Sequence, residues 1–225
     1  MKKHLSIFLY AILAGICIGL GGTVFLRLKD AFIGGNVVGA ILFTIGLFTI
    51  CTRGYNLFTG KACYIFDNKP DYLLTLLVIW IGNLLGCIIL AVIERATGIC
   101  GVDSGINVTA AGMVEGKMAS GCGSLFLLGI ICNILIYIAV NGYANAPHDL
   151  GKYLSLFFGV SVFILCGTEH SVADMYYWSV SGVLFSKLGQ SLLRIVIISL
   201  GNVVGGVSFP LIEKAYKKMT EEASS

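Results

Sequence analysis

The stretch CGTEHSVADMYYW, residues 166–178, decides the fold. It sets Glu169, His170 and Asp174 at and beyond the end of the apolar run 153–166. Either that run ends and the charges lie in water, or a helix breaks inside a bilayer to build a site. The rest of the chain chooses between these readings.

Composition supplies the solvent. The 225 residues are 57% hydrophobic and 12% charged, with a mean hydropathy of +0.90. A soluble domain carries about twice that charged fraction. No aqueous core of this size buries so much apolar side chain, so the chain reads as an all-α protein of the lipid bilayer. The net charge of +3 is scattered and forms no basic stripe with interleaved aromatics, which excludes nucleic acid as a partner. The start, MKKHL and then Ser6 to Leu26, exceeds a signal-peptide core and lacks a small-residue cleavage site, so it reads as a first membrane helix.

Six apolar segments follow one another, at about 6–27, 36–66, 71–94, 122–141, 152–185 and 190–212. A helix needs about 20 residues to cross the hydrocarbon. The second and fifth segments are too long for one span, and both are interrupted: the second by CTRGYNLFTGK (51–61), the fifth by the opening stretch. Backbone freed at membrane depth is tolerated only where protein or a cavity covers it. An echo, IGNLLG (81–86) against LGNVVG (200–205), divides the chain into halves at about 6–95 and 120–213. Three helices per half force the second half to enter the membrane in the opposite sense, an inverted repeat with helices 2 and 5 broken. Matched breaks of this kind point to a transport site.

GxxxG spacing at Gly15/Gly19, Gly35/Gly39, Gly82/Gly86 and Gly201/Gly205 reads as close packing within one bundle. Seven Lys/Arg fall on the side of the chain ends and five on the other, which favours cytoplasmic termini in the cell membrane. The polar tail from 213 onward reads as a frayed helix end. Most of the eight cysteines lie in apolar segments and behave as small hydrophobes. Cys100 and Cys122 border one connection and pair only if it faces an oxidising space.

His170 alone of the three histidines sits at a break in apolar surroundings, where an ionisable group usually faces a pathway or a partner. Glu169 is expected to cap backbone donors freed by the break, and Asp174 to cap the half-helix that follows. Thr59 and Asn133 are the other polar groups at mid-depth, each readable as a pathway group or as an interhelical hydrogen bond.

NLFTG (56–60), ICNIL (131–135) and GTEHSVADM (167–175), in this order and with GN-x-x-G in the third and sixth helices, resemble the formate/nitrite transporter family over essentially the whole chain. The resemblance implies an aquaporin-like protomer in a homopentamer, passing small monovalent anions such as formate, nitrite or hydrosulfide, with protons as partners. It implies that His170 is the central pore histidine, with Thr59 and Asn133 beside it. Leu47, Leu57 and Phe58 would form the cytoplasmic constriction, and Phe43, Ile136 and Phe163 the outer one. Lys117 stands where the family has a lysine that draws anions into the outer vestibule. Two residues depart from the family pattern: Asp174 replaces an asparagine and Thr168 a bulky aromatic. An extra carboxylate near His170 either raises the ring's readiness to take a proton or repels anions.

An anion crosses an apolar constriction only at a cost of several kcal/mol, whereas its neutral acid passes far more easily. Transport coupled to a proton, relayed at His170 or gained from water, is therefore expected to rise as pH falls. A channel for neutral solutes is disfavoured: its paired Asn-Pro-Ala turns are missing, the prolines being Pro70, Pro147 and Pro210. A haem enzyme is disfavoured by the single intramembrane histidine. No metal-ligand spacing appears, and no cofactor or enzymatic activity is expected.

Overall fold

A computed structural model describes residues 2–224. Eleven α-helices follow in order among them: α1 (Lys2–Leu28), α2 (Gly35–Phe43), α3 (Ile45–Arg53), α4 (Phe58–Ala62), α5 (Tyr72–Ala96), α6 (Gly105–Ala119), α7 (Cys122–Asn145), α8 (Asp149–Leu165), α9 (Ser171–Val180), α10 (Val183–Ser186) and α11 (Leu188–Ser224). Five stretches are long and apolar enough to cross a membrane: α1, the run 35–53 formed by α2 and α3, α5, α7 and α11. The fifth apolar segment, expected to be interrupted, is divided, with 17 residues in α8 and 10 in α9.

Both interruptions are built alike. Gly54 (φ 70°) ends α3 and Gly167 (φ 65°) follows α8, each in the left-handed region that only glycine enters cheaply. Three residues later the chain turns helical again, after Leu57 in one case and His170 in the other, both extended. Residues 54–61 thus align with 167–174 without a gap.

The packing around the breaks is matched as well. A Cβ on Gly86 would fall on the Ile12 carbonyl, and one on Gly205 would fall on the Ile130 carbonyl. The glycines of the two GN-x-x-G elements therefore let α5 lie directly on α1 and α11 on α7, which is packing inside one chain.

Asn56 fixes the first break near the start of α1. Its N–H donates to the Tyr10 carbonyl (3.3 Å) and its amide to the Ile7 carbonyl (3.2 Å). At the second break the Glu169 N–H reaches the Leu128 carbonyl (3.4 Å), near the start of α7. Lys214 pairs with Asp67, which brings the end of α11 to the face where α1 begins. That face is called inner below, and the opposite face, reached by Phe25 about 22 Å further along α1, outer.

Two features differ from the sequence expectations. The connection after α5 contains a 15-residue helix, α6, opened by Ser104, whose hydroxyl accepts from the Asn107 N–H (3.2 Å). The polar tail is the continuous end of α11 as far as Ser224. Cys100 and Cys122 are both free: Cys100 is fully buried beside Glu94, and Cys122 is exposed. Burial, reinforced by the Glu94 carboxylate, pushes the Cys100 thiol up to about 12. At pH 8 its thiolate fraction is then about one in ten thousand. A maleimide at that pH is expected to label Cys122 while leaving Cys100 unmodified, as read by peptide mass; equal labelling would contradict the burial of Cys100.

Candidate conduction site

The backbone groups released at each break are collected by one asparagine from a distant helix. Asn83 on α5 accepts from the Phe58 N–H (2.8 Å) and donates to the carbonyls of Ala11 (2.8 Å) and Asn56 (2.9 Å). Asn202 on α11 accepts from the Ser171 N–H (2.9 Å) and donates to the carbonyls of Gly129 (2.8 Å) and Glu169 (2.9 Å). Each side chain spends its acceptor on the first turn of a half-helix, one donor on a carbonyl of the break itself (Asn56 or Glu169) and the other on a carbonyl inside a neighbouring helix (Ala11 of α1 or Gly129 of α7). Both asparagines are fully buried. A carboxamide is well suited to this task, because it offers acceptor and donors together without a charge.

These bonds correct the roles expected for Glu169 and Asp174. Neither carboxylate caps a break. His170 is itself the N-cap of α9, its Nδ1 accepting from the Ala173 N–H (3.1 Å). Glu169 and Asp174 both bind Lys117, the latter at 2.9 Å. Lys117 is carried by α6, whose last carbonyls, those of Lys117 and Met118, accept from the Arg194 guanidinium. Its side chain is only 13% exposed, and that of Asp174 1%. The lysine expected as a vestibule attractor is thus closed between two carboxylates, and Asp174 Oδ2 has no hydrogen-bond partner.

At the centre, the first turns of α4 and α9 meet. Thr59 Oγ1 lies 2.9 Å from His170 Nε2, and both residues are buried. Because Nδ1 accepts from a backbone N–H, the hydrogen bonds place the ring proton on Nε2, which donates to Thr59. The threonine hydroxyl keeps its own proton for another acceptor. Asn133 on α7 donates to the carbonyls of Thr59 (3.1 Å) and Asn202 (2.7 Å), linking α4 to α11, while its Oδ1 is unpartnered.

Two cavities flank this contact and share no lining residue. The inner one, about 180 Å³, is bordered by Leu47, Leu57, Gly60, Lys61, Tyr64 and Tyr143. The outer one, about 370 Å³, is bordered by Phe25, Lys117, Phe163, Glu169, His170 and Asp174, among others. Phe163 stacks on His170 (ring centroids 5.4 Å apart, 17° between planes) and meets Phe43 edge-on (6.1 Å). Ile136 is buried without bordering either cavity. Phe58 borders neither; it lines an apolar groove with residues of α5 and α11.

Sequence reasoning brought out Thr59, Asn133 and His170 but missed the role of Asn83 and Asn202, whose only signal was the repeated GN-x-x-G. It also missed the Lys117 pairing.

An all-helical bundle with apolar spanning helices, two matched breaks and a buried polar contact between two cavities defines a multi-pass membrane transport protein. A sequence model of the formate/nitrite transporter family matches residues 1–216, so the chain belongs to that family. It is 27% identical to a probable formate transporter of Methanothermobacter thermautotrophicus over 91% of this chain and 85% of that protein. Among solved structures it is similar to a pentameric formate channel with formate bound (TM-score 0.76, 26% identity, 97% of this chain and 98% of that one). It is also similar to an FNT family ion channel (TM-score 0.83, 25% identity, 95% and 90%).

Proposed function

We propose that the protein conducts small monovalent anions of weak acids, such as formate, nitrite or hydrosulfide, between its two cavities through the Thr59–His170 contact. The observation that carries this reading is the contact itself: a hydroxyl with a free proton, held at the junction of two half-helices and flanked by Leu47 and Leu57 on one side and Phe43 and Phe163 on the other. A desolvated anion finds a hydrogen-bond donor there and apolar wall elsewhere, so the neutral acid is the form that passes the walls. The halves 6–95 and 120–213 act as an inverted repeat, supported by the matched asparagine bonds. The protein works as a homopentamer in the cell membrane with cytoplasmic termini, supported by the pentameric structural relative and the Lys/Arg distribution.

The ring geometry supports a coupling proton taken from water rather than from the histidine. A second proton on His170 would have to take Nδ1 and break the α9 cap. The ring therefore stays neutral, and the proton that neutralises the anion comes from water in the flanking cavities. Flux should rise as pH falls, because the neutral fraction of the substrate grows. His170→Asn retains a capping oxygen, so it keeps this pH dependence. His170→Phe loses both the cap and the polar contact. A hydrogen bond to a charged group is worth about 1.5–3 kcal/mol, so formate flux into proteoliposomes should fall roughly ten- to hundredfold. Loss of the pH dependence in His170→Asn would place the working proton on the ring instead. Glycerol-driven swelling without anion flux in the wild type would overturn the anion reading.

A further inference from the structure

The two cavities differ in their free charge. In the outer one the ammonium of Lys117 is taken up by Glu169 and Asp174. Among the described residues that line the inner one, Lys61 is the only cation; the others are aliphatic, tyrosine, glycine and cysteine. Among the described residues its ammonium takes part in none of the ion pairs. Lys61 is half-buried, sits two residues beyond Thr59, and is fixed through its carbonyl, which accepts from the Tyr64 N–H (3.2 Å) and the Tyr72 hydroxyl (3.1 Å). In the gapless alignment of the breaks, Lys61 stands where the other half has Asp174. The matched positions carry opposite charges, and only the positive one is uncompensated.

We propose that Lys61 is an anion-capture residue: it holds a small monovalent anion in the inner cavity, ahead of the Thr59–His170 contact. This rests on the anion-conducting reading above. Capture then occurs at the face of the chain ends, not at the face where Lys117 lies. A passive pathway must have equal permeability in both directions at vanishing concentration, so a one-sided site shows in the half-saturating concentrations.

Formate uptake is measured in membrane vesicles of both orientations, sorted by protease access to the end of α11. Wild type should half-saturate at a lower formate concentration from the inner face than from the outer face. Lys61→Met should raise the inner-face value roughly fivefold at low ionic strength, the factor expected for one charge about 4 Å away in watery surroundings. The factor should shrink at high salt, and the outer-face value should move less than twofold. Lys61→Arg, which keeps the charge, should raise the inner-face value less than twofold. An inner-face value unmoved in Lys61→Met, or equally raised in Lys61→Arg, overturns the capture role while leaving conduction standing. Absence of formate flux in the wild type overturns conduction and capture together.

Discussion

Replacing Asn202 by leucine is expected to lower the thermal midpoint of the purified protein by at least about 5 °C, and Asn83→Leu should do the same. Leucine matches asparagine in size but removes three hydrogen bonds at each site and leaves one N–H and one carbonyl of the break unpaired. In membrane proteins an interhelical hydrogen bond averages about 0.6 kcal/mol, because the unfolded chain also finds partners there. Unpaired buried backbone groups in general cost about 1–3 kcal/mol each. Three lost bonds, two of which leave a backbone group unpaired, therefore cost between about 2 and 6 kcal/mol. At about 2–4 °C per kcal/mol for a chain of this length, even the lower end is measurable. The matched geometry adds a stricter demand. The two substitutions should destabilise by similar amounts, since each removes the same set of three bonds. A loss at one site with none at the other would mean that the breaks are not supported alike.

The parts of the structure visible in the sequence are those written in contiguous hydropathy. The spanning helices follow from apolar runs longer than a soluble core explains, and the breaks follow from polar residues lodged in two of those runs. His170 and Thr59 stand out because each lies in a break. What stayed hidden depends on partners far along the chain. An N-cap is normally sought just before its helix, yet Asn83 reaches a donor 25 residues back and Asn202 one 31 residues back. The GN-x-x-G echo could be read as packing because its glycines do pack; its asparagine carried the second message. Helix α6 mixes Gly, Ala and Met with charges, so it shows neither a long apolar run nor a clean stripe. Without α6 there was no means of bringing Lys117 to carboxylates 52 and 57 residues later. In sequence alone Glu169 and Asp174 therefore look like caps, the commonest task of acids beside a helix start.

Lys117→Met should destabilise the protein more than any other single change of charge. It leaves Glu169 and Asp174 facing each other in a site where their side chains are 7% and 1% exposed. Breaking a buried ion pair by removing one partner costs about 3–5 kcal/mol, because the remaining charge loses its compensation without regaining water. Here two charges lose it, and His170 with the first turn of α9 lies between them. A fall in thermal midpoint of roughly 10 °C or more is expected. The same substitution made together with Glu169→Gln and Asp174→Asn should recover most of the loss, since a neutral site needs no ammonium. Recovery separates the charge from the methylene stem, which methionine largely replaces. If the triple variant melts no higher than Lys117→Met, the lysine supports α6 by packing and the carboxylates are stabilised by other groups. If it recovers and still carries formate, the outer ion cluster serves to hold α6 against the second break and not to attract the substrate. The cation that attracts it must then be sought at the inner face.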